Sequence, residues 1–311
     1  MFGATIRFGR NGFGRLLGMA LVVVSAAAMV SCARDDDPAI VVGAGDSAQA
    51  RVVAEIYAGA LARTGARTAV AADLGTRADY LAALDAATIA VTGDDTGDLL
   101  RALHADATAT APAKVLAAVY AALPEGIVVS DPADGTDLRI TLTTRAAENL
   151  PATLPDLAPR CAELRVGITT GTPTDPLRPA LDPARDVRDP LRNTYGCNIT
   201  QITAYPDDIA TRNALLNGEV QAAVLSVPPP LLPGPTPEDL TTIADPDYAF
   251  RAQQVLPVIR KGALTGDQTR KLNYVAGELT TADLAAMVRD VRDHNASPAD
   301  LARSWLDAHA L

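Results

Sequence analysis

Short apolar runs rich in Ile and Val alternate along this chain with amphipathic segments of helical period, and the alternation begins at Ile40. Ile40-Val41-Val42 predicts a strand, which Gly43 and Gly45 lead into a helix over about 48–64 that Gly65 ends. The same reading predicts strands over 67–72, 88–91 and 127–130, with helices over 76–84, 96–104 and 113–122 between them. Strands separated by helices rather than by tight turns imply an α/β organisation around a mainly parallel sheet.

A longer strand over 137–144 leaves this first block, and a proline-rich stretch, Pro151 to Pro159, marks a boundary. Beyond it the scheme repeats, with strands over 164–168, 199–204 and 220–225 and a helix over 207–217 stopped by Gly218. A connection rich in Pro, Asp and Arg runs up to Tyr195-Gly196. The run from Pro228 to Pro237 is too proline-dense for a helix or a central strand and is expected on the surface. A last strand over 254–260 is followed by three helices. Two of these announce their starts: Thr280 pairs with Asp283 inside a Leu279/Leu284 staple, and Ser297 precedes Pro298 at the first helical position. No internal repeat at a solenoid period is present.

Residues 1–31 do not fit this scheme. Arg7, Arg10 and Arg15 precede an apolar run from Leu16 to Val30 that is shorter than the roughly 20 residues of a membrane span and ends in small residues. Met29-Val30-Ser31-Cys32 resembles a lipobox, so a signal peptide over 1–31, acylation of Cys32 and a linker over 32–37 are expected. An ordinary secretory signal with a chance cysteine is the alternative. Removing the three arginines takes the formal charge of −10 to −13, which disfavours nucleic acid and anionic headgroups as partners. Membrane attachment would then rest on acyl chains.

Cys161 and Cys197 each stand just before an apolar β-rich stretch. Were those stretches neighbouring parallel strands about 4.8 Å apart, both cysteines would lie at one sheet edge and within disulfide range. Two separately buried thiols are the other possibility.

Several blocks taken together resemble the substrate-binding proteins of glycine betaine, choline and carnitine importers. They are Val42-Gly43-Ala44-Gly45-Asp46 with Val52 to Tyr57, Leu74 to Arg77 with Tyr80 to Leu84, Asn213 to Ala223, Ile243 to Asp247, and Val255 to Arg260 with the 279–306 ending. The resemblance covers Ile40 to Leu311 and implies a two-lobe periplasmic-binding-protein fold of type II, with two hinge strands and closure on ligand. Lobe one would comprise 38–141 plus 253–311, and lobe two 142–252. It further implies an extracytoplasmic, lipid-anchored protein of an ABC importer, monomeric, without cofactor or metal, delivering a small cationic or zwitterionic solute to permease subunits.

The candidate site residues are Asp46, Ser47, Asp94, Asp95, Thr96, Arg185 and Ser226, which the resemblance places, and Tyr205, which its position at a strand's carboxyl end suggests. Departures from the family pattern bear on the ligand. Gly93-Asp94-Asp95 stands where the family carries a proline, a glutamate and an aromatic residue, and Ser47 and Gln49 replace an aromatic and a glutamate. The family arginine that grips a carboxylate falls near Arg185, with the spacing to Tyr195 one residue short. Val227-Pro228 after Ser226 also departs.

Quaternary ammonium is held by aromatic faces, because it cannot donate hydrogen bonds. After residue 31 the chain keeps Phe250, Trp305 and seven tyrosines, of which only Tyr205, at a strand's carboxyl end, stands where a cleft would be. Tyr57, Tyr80, Tyr120 and Tyr274 fall in helical patterns and read as packing residues. Asp94 and Asp95 suit an amine that still carries N–H donors. They would equally serve the start of the next helix, together with Asp98.

Other functions fare worse. Gly43 to Ala48, with Asp73 further on, fits a loose dinucleotide fingerprint, but the spacing is long and the same loop suits backbone approach to an anionic group at a helix start. His104, His294 and His309 are the only histidines and no nucleophile elbow occurs, so an enzyme is not expected. A binding-fold lipoprotein that has lost transport and serves as a receptor or interaction module is the remaining rival.

Overall fold

The computed structural model describes residues 38–234 and 239–311. The proposed signal segment, Cys32 and its linker lie outside them.

Apolar strand runs and capped helices follow each other in the expected order. The first sheet is built from β1 (Ile40–Gly43), β2 (Thr68–Ala71), β3 (Val91–Asp95) and β4 (Ile127–Val129), joined through α1 (Ala48–Ala62), α2 (Arg77–Asp85), α3 (Thr96–Leu103) and α4 (Pro112–Ala122). The chain then crosses to a second sheet of β5 (Leu142–Arg145), β6 (Arg165–Thr172), β7 (Gln201–Asp207), β8 (Ala222–Val224) and β9 (Leu240–Thr242). Between these strands lie α5 (Leu154–Leu157), α6 (Asp189–Tyr195) and α7 (Asp208–Leu216). It returns as β10 (Val255–Arg260) and ends in α8 (Gly266–Glu278), α9 (Thr281–His294) and α10 (Pro298–Ala308).

The strand orders are β2-β1-β3-β10-β4 and β7-β6-β8-β5-β9. β1 runs parallel to β2 and β3, whereas β10 runs antiparallel to β3 and β4. In the second sheet β6 is parallel to β7 and β8, whereas β5 is antiparallel to β8 and β9. Each sheet has its own core, one beneath α1, α8, α9 and α10 and the other around Leu142, Val166, Ile168, Val187 and Phe250. This is a mixed α/β fold of two lobes.

Local chemistry sets the helix ends. Ser47, Thr280 and Ser297 each accept a hydrogen bond from a backbone N–H three residues on. Residues 137–140, expected within a strand, carry no ladder, and Leu138 N donates instead to Gln253 O at 2.8 Å.

The proline run corrects an expectation of the sequence. Pro229, Leu231 and Leu232 are buried, forming a 3₁₀ turn over Pro229–Leu231 that packs under α9. Prolines have no N–H to satisfy, so a buried proline run needs partners only for its carbonyls. Arginines supply them: Arg289 donates to Pro230 O, Arg292 to Leu231 O and Leu232 O, and Arg212 to Pro233 O.

Cys161 and Cys197 are joined by a disulfide, with Cα atoms 5.3 Å apart. They precede β6 and β7, whose parallel register starts at Arg165 opposite Gln201. Peptide mapping of the protein without reductant is expected to recover the two cysteines in one cross-linked fragment; free thiols at both positions would contradict the bond.

Candidate functional site

The facing ends of the two sheets meet around the turn where β3 runs into α3. Gly93 lets α1 lie directly on β3, since a Cβ there would stand 2.3 Å from Val53 Cγ1. That close packing brings Asp94 and Asp95 beneath the start of α1, where both are buried.

Asp94 is held within its own lobe. The Arg77 guanidinium grips it with two N–H groups at 2.9 and 3.0 Å, and the Tyr80 hydroxyl donates at 2.7 Å. Burial opposes the charge on Arg77, but Asp94 and its neighbours win and hold the guanidinium's pKa above its ordinary value. The Tyr80 phenol is pushed up by burial and then by the adjacent Asp94 carboxylate.

Asp95 reaches across. Gln49 Nε2 donates to its Oδ1 at 2.9 Å, and Arg178 Nη2, from the loop after β6, donates to its Oδ2 at 3.0 Å. The Arg178 and Asp95 side chains are 4% and 5% exposed. Burial, with Asp98 and Asp94 nearby, pushes the Asp95 carboxyl up to about 6 even though Arg178 and Gln49 pull the other way. Arg178 Nη1 also donates to Leu138 O at 2.8 Å, and Arg77 Nη1 donates to Leu177 O at 2.9 Å. A further ion pair, Arg101 to Asp186 at 3.3 Å, joins α3 to the second-sheet side. The lobes are therefore closed upon one another by the chain's own charges.

The helix-start reading has its counterpart in the structure, since Asp95 and Asp98 stand at the N-cap and in the first turn of α3, where negative charge meets the positive end of the dipole. Asp95 is the N-cap residue of α3 but makes no capping bond. The free N–H groups of Gly97 and Asp98 donate instead to Gln253 Oε1, at 2.9 and 3.0 Å.

Ser226 lies at the site's edge in a supporting role. Its hydroxyl donates to Asp208 and accepts from Thr174 N, and Asp208, itself buried, also accepts from Ser226 N and Thr169 Oγ1 at 2.7 Å each. This knot fixes the 174–178 loop that delivers Arg178. Thr96 is likewise structural, its Oγ1 accepting from Gln254 N at 3.0 Å. Ser47 caps α1, and Asp46 accepts from Gly75 N at 3.0 Å.

Arg185 and Tyr205 do not join the site. Arg185 sits on the turn over Pro183–Arg188, its side chain 60% exposed and paired with the adjacent Asp186. Tyr205 lies on β7, an edge strand, where its ring packs against Gly167 beside Ala214 and Val220. The pleat turns this half-buried side chain to the face of the sheet that α7 covers. Sequence reasoning missed Arg178, Arg77, Gln49 and Asp175, and the only local signal for Arg178 is its place between Leu177 and Pro179 in the arginine-rich connection.

Two chambers open here. The inner one, of about 20 Å³, is lined by Ser47, Gln49, Asp94, Asp95, Asp175 and Arg178, among others, and is large enough for a water molecule only. The outer one, of about 310 Å³, shares Ser47, Gln49 and Asp175 with it. Of the aromatic residues only Tyr80 lines either chamber, and the Tyr248 ring is covered by Arg139, 4.4 Å from its centre. Among the described residues no group of His, Cys, Asp and Glu could hold a metal ion, and no helix is long and apolar enough to cross a membrane.

Residues 38–308 match the family described as the substrate binding domain of ABC-type glycine betaine transport systems. A glycine betaine/carnitine/choline ABC transporter structure shares the fold, with a TM-score of 0.69 and 15% identity over 87% of this chain and 98% of that one. Apo YehZ from Escherichia coli gives 0.67 and 17% over the same shares. ProX of Borrelia burgdorferi, a glycine betaine and L-proline binding protein, gives 0.50 and 10% over 87% of this chain and 93% of that one. At these identities the likeness concerns the fold. Comparison with curated protein sequences gave no match.

Proposed function

The chain belongs to the family of substrate-binding domains of ABC-type glycine betaine transport systems, and from that premise we propose that it captures a small cationic or zwitterionic solute bearing N–H donors at the Asp95–Arg178 pair. The observation that carries this reading is the pair itself: two opposite charges, one from each lobe, buried face to face where the lobes close. A zwitterion inserted between them offers its ammonium to Asp95 and its carboxylate to Arg178, so each buried charge keeps a partner. A cation without a carboxylate answers the surplus of Asp94, Asp95, Asp98 and Asp175 over Arg77 and Arg178. Opening of the lobes must precede entry, because the inner chamber is smaller than any such solute.

Among the described residues only Tyr80 offers a ring to either chamber, which favours a nitrogen that keeps N–H donors. Each methyl removed from the nitrogen adds a donor for the Asp95 carboxylate, and no aromatic face compensates a fully methylated nitrogen. Calorimetry over glycine betaine, N,N-dimethylglycine, sarcosine and glycine is expected to show sarcosine binding about tenfold or more tighter than glycine betaine. A series in which glycine betaine binds best would overturn the reading.

The importer role extends to the finer features read from the sequence. Cys32, acylated after cleavage of 1–31, would tether the protein at the outer face of the cell membrane, and a permease would receive the solute from a monomer. Lobe one is drawn at 38–141 plus 253–311 and lobe two at 142–252, which assigns β1 to β4 and β10 to one and β5 to β9 to the other. Radiolabelled palmitate incorporation that disappears in Cys32→Ser supports the tether.

A further inference from the structure

We propose that the outer chamber is a second binding site, taking a short-chain aliphatic ammonium ion with its head at Asp46 and Asp175 and its tail against Val227, Leu231, Val288 and Val291. The chamber's volume of about 310 Å³ lies at the lower end of the range of small-molecule pockets, roughly 300–1,000 Å³. Its walls come from four places: the turn from β1 into α1, the loop after β6, the segment after β8, and α9.

The walls are sorted by chemistry. Val227, Leu231 and Val288 form a floor, each exposed by 5% or less, while Asp46 stands exposed at the rim. An occupant therefore needs an apolar end for the floor and a polar end for the rim.

The sign of the polar end follows from which charges are already paired. Two arginines line the chamber and both are engaged: Arg51 with Asp73, and Arg292 with Asp293, Leu231 O and Leu232 O. Arg51 Nε is buried without an acceptor. Asp46 accepts from Gly75 N, and Asp175 from Leu177 N and the Ser47 hydroxyl, but a carboxylate has about four acceptor positions. Both carboxylates thus keep open acceptor positions at the rim. Burial raises the Asp175 pKa, a strain that an adjacent ammonium relieves. The surrounding chain, with its net charge of −10, favours a cation over an anion at this mouth.

Since three residues are shared with the inner chamber, the two sites are neighbours with separate chemistry: ion-pair exchange within, amphiphile capture outside. The test is calorimetry of n-butylammonium chloride on the full chain. It is expected to bind at millimolar concentrations or below, with n-butanol and tetramethylammonium both weaker by about tenfold or more. Asp46→Asn, which keeps an oxygen to accept Gly75 N, and Val291→Trp, which fills the chamber from a half-buried position, are each expected to weaken n-butylammonium about tenfold. Binding of n-butylammonium to protein saturated with sarcosine supports two sites. Simple competition between the two would overturn the second site, as would equal affinity for n-butanol or unchanged binding in both variants. Should sarcosine fail to bind while n-butylammonium follows this pattern, the ion-pair reading falls and the outer site stands.

Discussion

Arg178→Met is expected to destabilise the closed form by about 3–5 kcal/mol, the usual cost of removing one partner from a buried pair. The arginine is nearly enclosed, and it is the second-sheet lobe's direct answer to Asp95, with Asp94, Asp98 and Asp175 close by. Its loss leaves Arg77, which is already engaged with Asp94 in a two-pronged contact, and Arg251, which faces Asp98 and not Asp95. Because the lobes are hinged, the uncompensated carboxylates regain water by separation before the lobes themselves unfold. Small-angle scattering should therefore show a larger radius of gyration for Arg178→Met than for wild type, and sarcosine binding should vanish. Adding Asp95→Asn to the same chain is expected to recover most of the compactness, since the charge that drives the lobes apart is then gone. An unchanged radius in the single variant would mean that the pair does not tie the lobes.

Asp95 gives the second large effect, in the pH dependence of stability. Its carboxyl titrates near 6 in the folded chain against an ordinary 3.8, so the folded state holds this proton more tightly than the unfolded state does. For a raised carboxyl the stabilisation is complete below the unfolded value and is lost as pH rises through the folded one. Other carboxylates act in the opposite sense: Asp186, which Arg185 outweighs burial to hold down, and Asp293, beside Arg292, lose stabilisation on acidification. The difference between wild type and Asp95→Asn removes those contributions. Between pH 7 and pH 4 wild type is expected to gain about 2 kcal/mol relative to Asp95→Asn in urea unfolding, most of the full shift of roughly two pH units at about 1.36 kcal/mol each. A difference that stays flat across that window would show an ordinary, solvated carboxyl. Solute capture runs the other way, because a bound ammonium favours the ionised carboxylate. Sarcosine affinity should fall below pH 6, and binding below that pH should release a proton to buffer.

Both effects concern residues whose importance reads very differently from sequence. Asp94 and Asp95 are legible, because two acids stand at a strand's carboxyl end where the related family carries a proline, a glutamate and an aromatic. Arg178 is not, because its partner is 83 positions away and nothing in Pro176-Leu177-Arg178-Pro179 says which way the guanidinium turns. Arg77 lay inside a quoted block and could be assigned to a helix start, yet its grip on Asp94 depends on how α2 packs beside β3. Arg185 shows the converse: the resemblance places an arginine in this connection, and the turn over Pro183–Arg188 leaves that side chain largely exposed and paired with Asp186.

The buried proline strap makes a related point. Composition correctly excluded regular structure there, and the error was to equate irregular with exposed. Four carbonyls that find arginine donors from α7 and α9 allow the strap to lie inside, and donors so remote in sequence leave no trace in the run itself.

By itself the sequence determined what short-range physics governs: the alternation of strands and helices, the caps at Thr280 and Ser297, and the acids before the helix that follows the third strand, while the two-lobe class came from the family resemblance. These depend on side-chain periods of two and 3.6 and on hydrogen bonds spanning three or four residues. Only the tertiary structure decided which charges meet across the closure, where the Tyr205 ring packs and where space remains. Those outcomes depend on the register and approach of elements far apart in the chain, and Coulomb attraction falls off so steeply with distance and solvent that pairing is settled only once packing has fixed the neighbours.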